Sequence, residues 1–425
     1  MEKKYIDSAK KLMARLEKSP SQFHVVDNIS KLLEENGFSY LDEKKAFMLE
    51  RGRSYYTKRN NTSIIAFKVP NDFDGINVVA AHTDSPTFRI KANPDVKATG
   101  LPTRLNIEGY GGMLLAPWFD RPLSIAGRIF VKTDKAIEER LLDFESTSVQ
   151  IVNLAIHQNR DANNGYKYSI QNDLLPIFAD SDNDKSFDDV VAEKAKVNKK
   201  DILSYDLFLY NRQKPQFIGL DDAFFSAARI DDLECAYTAI EGLINAKPES
   251  KIAMVSLFDN EEVGSGTKQG ALSDFLQNTV ARIYLSLGLS EEEKYMHIAS
   301  SRMLSADNAH AVHPAFAQKS DITNKPRMNG GVVIKYSANQ KYTTDAETGA
   351  YTKNLLDQNE IPNQYFFNNS DVPGGSTLGN LSSWKISIRS CDIGAAQLAM
   401  HSPYETAGTK DVYYLESLFT KFLSI

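Results

Sequence analysis

The sequence predicts an α/β fold: a three-layer domain whose central sheet is mainly parallel or mixed, with a β-rich domain inserted into it. Helical periodicity fills residues 5–37 and recurs at 233–244. Continuous apolar runs, which are typical of strands covered on both faces, lie at 76–82 and 252–258. Between these blocks, 93–218 has alternating, glycine-containing and polar stretches instead. Strands that alternate with helices favour a layered sheet with helices on its faces.

The first block, residues 1–92, supplies two helices and the first strands of the layered domain. Its helical stretch is interrupted by Ser19 and Pro20, which predicts two helices in place of one long one. Strands are predicted at about 62–68 and 76–82. The second of these strands is apolar throughout, so we expect both of its faces to be covered.

The last block, residues 219–425, repeats the alternation of helices and strands. Apolar residues from Leu233 to Ile244 follow i, i+3, i+4, i+7 spacing and predict an amphipathic helix. We expect this block and residues 1–92 to form one discontinuous domain. The strands predicted in the last block lie at 252–258, 331–337, 364–368 and 384–389.

The middle segment, residues 93–218, is predicted to be an inserted β-rich domain. Residues 123–131 alternate between apolar and polar positions, as expected for a half-exposed strand. Glycines cluster at 109–112, and the most polar part of the chain is 158–205. An insertion of this kind leaves the parts of the chain before and after it free to meet in space.

Composition excludes several classes of protein. The net charge is −6 at pH 7, which argues against a broad basic surface for nucleic acid or anionic lipid. Cys235 and Cys391 are the only cysteines, too few for a disulfide framework or a thiolate zinc site. No apolar stretch approaches the roughly 20 residues of a membrane-spanning helix, and the N-terminus does not have the pattern of a signal peptide. We therefore expect a cytoplasmic protein.

Metal-binding residue types follow apolar runs at several separate places in the chain. Carboxylates and imidazoles are hard to bury without a partner, so their position directly after buried strands indicates a divalent metal site. The residues concerned are His82 with Asp84, Asp231, Glu261 with Glu262, Asp307, and His401.

The spacing within these stretches suggests a division of roles. Asp84 can bond the second ring nitrogen of His82 and hold the tautomer that a metal needs. Of the adjacent Glu261 and Glu262, one can bind metal while its neighbour acts as a base. Two histidines and three carboxylates, with one carboxylate bridging, would give each of two metals three protein ligands and a shared water. The residues alone thus predict a two-metal hydrolase.

Seven short motifs, spread in order along nearly the whole chain, resemble the aspartyl aminopeptidase family of zinc metallopeptidases. Any one of them is ambiguous, whereas all seven in the family's order are highly specific. They are AHTDSP at 81–86, FDR at 119–121, LAIH at 154–157, DNEEVGS at 259–265, SAD at 305–307, AHAVHP at 309–314 and QLAMHS at 397–402.

The resemblance implies a role for each candidate residue. It implies one metal ion held by His82 and Asp307, the other by Glu262 and His401, with Asp231 bridging and Glu261 as general base. The ions are expected to be zinc, with cobalt or manganese as alternatives. The resemblance also implies that Lys335 attracts an acidic substrate side chain.

The resemblance further implies an assembly. The inserted domain is expected to make dimers, which build a tetrahedral dodecamer, and to bring His157 to the active site of a neighbouring subunit. The expected activity is removal of an N-terminal residue, with a preference for Asp or Glu, from peptides. Two alternatives stay open: a metal-dependent carboxypeptidase or amidohydrolase on the same scaffold, and a catalytically inert scaffold protein.

Overall fold

The computed structural model describes residues 1–145 and 149–425, and this part of the chain forms ten α-helices and twenty β-strands. The helices, numbered α1 to α10 in chain order, are Lys3–Glu17, Gln22–Glu35, Ile170–Asp173, Phe187–Ala195, Ile230–Asn245, Phe275–Ser286, Glu291–Ser300, Ala346–Gln358, Leu378–Ser382 and Thr409–Phe422. The strands, β1 to β20, are Ser39–Leu41, Ser54–Arg59, Ser63–Lys68, Ile76–His82, Thr87–Ala98, Leu101–Tyr110, Leu123–Lys132, Ile137–Asp143, Ile177–Ala179, Ile202–Asn211, Gln216–Ile218, Phe224–Ala227, Ile252–Phe258, Arg302–Ala306, Ala309–His310, Val332–Tyr336, Asn363–Phe367, Arg389–Gly394, Ala396–Leu398 and Glu405–Gly408.

A nine-stranded mixed sheet forms the centre of the fold and confirms the predicted α/β class. Its strand order is β1-β2-β3-β13-β4-β14-β18-β16-β17, and the four strands from β13 to β18 run parallel to one another. Strands β4 and β13 are buried along their whole lengths, as their continuous apolar sequences predict. Because parallel strands end at the same edge of a sheet, the residues that follow β4, β13 and β14 meet there.

Helices cover both faces of this sheet and create its three layers. Helices α1, α2, α5, α8 and α10 pack on one face, and α6, α7 and α9 pack on the other. The predicted helix at 233–244 lies within α5, and its polar face is covered as well as its apolar one: every residue from Ile230 to Leu243 is buried. Helices α1 and α10 cover the side of α5 that the sheet leaves open. Within the described residues, no helix has the length and apolarity needed to cross a membrane.

A six-stranded antiparallel sheet with the order β8-β7-β10-β5-β6-β9 has an apolar cluster of its own. The predicted strand at 123–131 is β7, but the expectation that it is half exposed is wrong. Nearly all of β7 is buried, because α2 covers its outer face. The guanidinium of Arg128 on β7 lies 4.5 Å from the ring centroid of Phe23 on α2.

The predicted domain boundaries stay a prediction. Strand β5 begins at Thr87 and crosses the boundary placed after residue 92. The other predicted boundary, after residue 218, falls between β11 and β12, which pair with each other in a third sheet of order β11-β12-β20-β19-β15. This sheet borders the candidate site.

One predicted strand is misplaced, since 384–389 is not a strand and β18 begins only at Arg389. Arg389 pairs with Arg302, the first residue of β14, and the chain before Arg302 is still helix α7 and its cap. Residues 384–388 therefore have no neighbouring strand with which to pair. The other strands predicted in the last block are β13, β16 and β17, each within one residue of its expected ends.

Candidate metal centre

The predicted metal ligands meet where two sheets adjoin. His82 is the last residue of β4, Glu262 lies in the turn that follows β13, and Asp307 follows β14, so the parallel strands place them at one edge of the large sheet. The third sheet supplies the other two. Asp231 lies at the start of α5 just after β12, and His401 lies in the turn between β19 and β20.

These side chains form overlapping sets of possible ligands. Within each set, ligand atoms from three residues lie within 4.8 Å of one another. The sets are His82 with Asp231 and Asp307, Asp231 with Glu262 and His401, and His82 with Glu261 and Glu262. The first two sets share Asp231, whose Oδ1 is 3.6 Å from Nε2 of His82 and whose Oδ2 is 3.2 Å from Nε2 of His401. The two oxygens of one carboxylate thus face two different histidines.

The residues at this place fit divalent cations. Oδ1 of Asp231 and Oε1 of Glu262 are buried oxygens with no hydrogen-bond donor among the described residues. Leaving a buried polar atom unsatisfied costs about 1–3 kcal/mol, and more for a charged one. The imidazole and carboxylate donors are those that zinc prefers.

The raised pKa values of the buried glutamates also favour a bound cation. Burial raises the pKa of Glu261 to about 8, and the carboxylates of Asp307 and Asp84 add to this rise. Burial and the neighbouring Asp231 also raise the pKa of Glu262 well above its usual value. Buried carboxylates that repel one another in this way are stabilised by a cation placed among them.

The tautomer of His82 follows from its contacts. Nδ1 of His82 lies 3.1 Å from the carbonyl oxygen of Asp84 and 3.4 Å from Oδ1 of the same residue. A carbonyl oxygen can only accept, so Nδ1 carries the proton and Nε2 is free to bind metal. Although burial lowers the pKa of His82, the carboxylates of Asp231 and Asp84 beside its ring raise that pKa well above its usual value, and a metal ion at Nε2 would replace the second proton.

Asp84 also fixes the turn that carries the two glutamates. Its Oδ1 accepts a hydrogen bond from the backbone N–H of Glu261 at 3.1 Å, and its Oδ2 accepts one from that of Glu262 at 3.2 Å. Asp84 is fully buried. The side chain predicted to orient His82 therefore contacts both glutamates as well.

Tyr110 is a site residue that the sequence did not indicate. It is the last residue of β6, and its hydroxyl donates to Oδ2 of Asp84 at 2.7 Å. The one available signal was the glycine cluster at 109–112. A side-chain carbon on Gly111, where φ is +77°, would lie 3.1 Å from Cβ of Glu262, so only glycine lets this segment approach the site.

Glu405 is a second residue that was missed. It is buried on β20, where Oε1 accepts a hydrogen bond from the backbone N–H of His401 at 2.8 Å and Oε2 accepts one from Asp231 N at 3.1 Å. Burial raises the pKa of Glu405 to about 8. Glu405 therefore ties together the two ligand-bearing segments that come from the third sheet.

A cavity of about 260 Å³ opens onto the cluster. Its remaining wall includes Lys335, Tyr342 and Phe366, together with residues 375–377. The ammonium group of Lys335 is only 2% exposed as a side chain and donates to the carbonyl oxygens of Asp307 at 2.7 Å and Asn308 at 3.3 Å. Lys335 thus lies at the floor of the cavity, and its role in substrate binding stays a prediction.

His157 is the one predicted site residue that the described part of this single chain does not bring to the cluster. It lies in an exposed turn that follows Val149 and Gln150, which form isolated bridges with Leu123 and Ile177. Its predicted role across subunits needs a second copy of the chain and stays a prediction.

This chain is similar to proteins of one family in both sequence and structure. A family model described as aminopeptidase I zinc metalloprotease (M18) matches residues 15–423. A relative from Clostridium acetobutylicum is named probable M18 family aminopeptidase 2 and is 42% identical over 433 residues. This alignment covers 100% of this chain and 100% of that protein. A chain in the cryo-EM structure of the Ape4 and Nbr1 complex matches with a TM-score of 0.95 and 30% identity, over 99% of this chain and 86% of that one. The S. cerevisiae mApe1 dodecamer matches with a TM-score of 0.86 and 27% identity, over 98% and 96% of the two chains.

Proposed function

Because the chain belongs to the M18 family of aminopeptidase I zinc metalloproteases, which are peptide hydrolases, we propose that it removes the N-terminal residue from peptides at a centre that holds two metal ions. The observation that carries the proposal is the pair of ligand sets that share Asp231. A single metal site would not need a carboxylate with a histidine facing each of its oxygens.

In this proposal His82 and Asp307 would hold one ion and Glu262 and His401 would hold the other, with Asp231 as the bridging ligand that belongs to both sets. The ions are zinc, with cobalt or manganese as alternatives. When bound, such ions polarise a peptide carbonyl and acidify water. Asp84 keeps Nε2 of His82 available for its ion by fixing the proton on Nδ1.

Glu261 is the proposed proton carrier. It lines the cavity beside the proposed ligands, and cations held there would counter the burial that raises its pKa, so that its carboxylate can accept a proton. It takes a proton from the attacking water as the oxygen–carbon bond forms. It then gives this proton to the amine as the carbon–nitrogen bond of the first peptide unit breaks, so the group ends in its starting state.

The finer proposal on specificity is a preference for Asp or Glu as the first residue, with Lys335 as the attracting charge. An ammonium has three N–H donors, and the carbonyls of Asp307 and Asn308 take two of them. The third is left for Oδ2 of Asp307, which is 3.8 Å away, or for a substrate carboxylate. A charge pair in so buried a place is stronger than one in water.

The proposed working form is a homo-oligomer of dimers, assembled into a tetrahedral dodecamer, with His157 completing the site of a neighbouring subunit. Support comes from the dodecameric assembly of the similar mApe1 and from apolar side chains beside His157. Val152, Leu154 and Ile156 are between 46% and 57% exposed, which suits an interface better than a free surface. The cytoplasmic location stays a prediction.

The test is turnover of chromogenic substrates that carry one amino acid, with and without chelator. Hydrolysis should stop on metal removal, return with zinc, and fail on the matching N-acetylated substrate. Cleavage of the acetylated substrate would instead favour the carboxypeptidase or amidohydrolase alternative. No turnover by fully metal-loaded protein would favour the inert scaffold.

A matched pair of variants tests the assignment of the base. Glu261→Gln should keep its metal and lose about 10²–10⁴-fold in kcat, because an amide cannot take up the proton. Glu262→Gln should lose metal first and activity as a consequence. Activity of Glu261→Gln within a few-fold of the unmodified protein would assign the base to another carboxylate.

A further inference from the structure

Asp392 is a buried carboxylate that the proposed chemistry does not use. It lies on β18 in the middle of the large sheet, has 0% exposure, and pairs in register with Lys335 on β16. A carboxylate in such a place must be compensated by donors, since burying it alone is costly. The positions of these donors show which segments of the chain Asp392 connects.

The donors come from two separate loops that line the cavity. Oδ2 of Asp392 accepts hydrogen bonds from the backbone N–H and the hydroxyl of Thr343, both at 2.6 Å. Oδ1 accepts from the hydroxyl of Thr377. Thr343 follows the cavity-lining Tyr342, and Thr377 lines the cavity itself. The carboxylate of Asp392 therefore joins two segments of the cavity wall.

The other ties between these loops are at the surface. Nζ of Lys341 donates to the hydroxyl of Ser376 at 3.4 Å, and the side-chain amide of Asn380 donates to the carbonyl of Gln340. Both contacts involve exposed atoms, where water competes for the same groups. Hydrogen bonds to a buried carboxylate are roughly twice as strong as neutral ones, so the bonds to Asp392 are stronger than these two surface contacts.

We propose that Asp392 is a positioning residue for substrate recognition, which sets the distance between the two cavity walls that hold the first side chain of the peptide. The inference rests on the proposed aminopeptidase function and adds to it the element that shapes the specificity pocket. Loosening this tie should weaken substrate binding and reduce discrimination between first residues, while the metal ligands keep their places.

Three variants and a control test this. Asp392→Asn cannot accept all three bonds, whereas Thr377→Val deletes one bond and keeps the charge beside Lys335. The double variant closes a mutant cycle. The control is Asp411→Asn, because Asp411 is an equally buried carboxylate that accepts hydrogen bonds from Gly331 N at 2.9 Å and Asn329 N at 2.5 Å, away from the cavity.

We expect KM to rise about tenfold in Asp392→Asn and severalfold in Thr377→Val, with smaller changes in kcat. The ratio of kcat/KM between Leu and Asp substrates should move towards one, and metal content should stay full. The double variant should resemble Asp392→Asn, since both changes remove the same bond. The control should lose thermal stability but keep KM and selectivity.

Several outcomes would overturn the inference. An unchanged KM and selectivity in a folded Thr377→Val would show that the tie does not shape the pocket. Additive effects in the double variant would show that the two residues do not act through their bond. An equal KM change in Asp411→Asn would reduce the effect to general destabilisation. Absence of aminopeptidase activity in the unmodified, metal-loaded protein would overturn the proposed function and this inference with it.

Discussion

Removing the hydroxyl of Tyr110, at the end of β6 in the six-stranded sheet, should impair a centre to which that sheet contributes no proposed metal ligand. Tyr110→Phe keeps the ring, which packs edge-on against Phe208 with centroids 5.7 Å apart. It deletes the hydroxyl that donates to Asp84 at 2.7 Å and accepts from the side-chain amide of Asn260 at 2.8 Å. Burial, with Asp84 beside it, raises the pKa of Tyr110, so the hydroxyl stays protonated and donates.

The magnitude follows from the groups that lose a partner. A hydrogen bond to a charged acceptor contributes about 1.5–3 kcal/mol, and a buried donor left unsatisfied on Asn260 costs about 1–3 kcal/mol. We therefore expect the free energy of unfolding to fall by about 2.5–6 kcal/mol. Asp84 keeps its hydrogen bonds to the backbone N–H groups of Glu261 and Glu262. The turn that carries these glutamates therefore becomes more mobile but stays attached to Asp84. Since a misplacement of about 1 Å can reduce a rate about 10²-fold, a partial loosening should reduce kcat about tenfold.

The assay combines urea unfolding, kcat and metal content, with Tyr56→Phe as the matched control. Tyr56 is also buried, and its hydroxyl also donates to a carboxylate, that of Glu34, but it touches no residue of the metal centre. Both variants should lose stability, and only Tyr110→Phe should lose turnover. A kcat of Tyr110→Phe within twofold of the unmodified protein, or an equal loss in Tyr56→Phe, would refute the reasoning.

Three further predictions concern the ligands and the substrate. Asp231→Ala should lose both metal ions and His82→Ala mainly one, because Asp231 belongs to both proposed ligand sets; metal analysis that finds two ions in Asp231→Ala contradicts the bridge. Hybrids of His157→Ala and Glu261→Gln subunits should regain activity that neither parent has, and inactive hybrids from normally assembling parents rule out a role across subunits. Lys335→Ala should reduce kcat/KM for Asp and Glu substrates more than for Leu, and an acidic preference untouched by the change removes Lys335 from that role.

The sequence was informative where the backbone decides the position of a side chain. His82 ends β4 and Glu262 lies in the turn after β13, which are neighbours in the sheet, and a strand covered on both faces leaves a continuous apolar signal. The end of such a run marks the sheet edge, so the residue type at that point carries the prediction. The shift of the last strand from 384–389 to Arg389–Gly394 shows the limit of this signal. That strand carries the buried Asp392 and a glycine, which interrupt the apolar pattern.

The residues that were missed act through contacts made far along the chain. Tyr110 reaches Asp84 from the six-stranded sheet, and Glu405 reaches Asp231 across a separation of 174 residues. Neither contact follows from a local period, because each depends on how whole sheets adjoin. An aromatic residue at a strand end, or a glutamate in a short strand, is common in proteins and does not by itself indicate a functional site. In the sequence, only Gly111 indicates that this segment approaches Glu262 closely.

Two buried carboxylates that are not themselves proposed ligands organise the candidate centre. Asp84 fixes the turn with Glu261 and Glu262 through their backbone N–H groups, and Glu405 does the same for the segments of Asp231 and His401. Backbone donors hold position more firmly than long side chains, because they have little conformational freedom to lose. The contacts of Asp84 and Glu405 therefore fix the backbone beside the proposed ligands, as precise metal sites require. It follows that changes at Asp84 or Glu405 should lower metal affinity without removing a ligand.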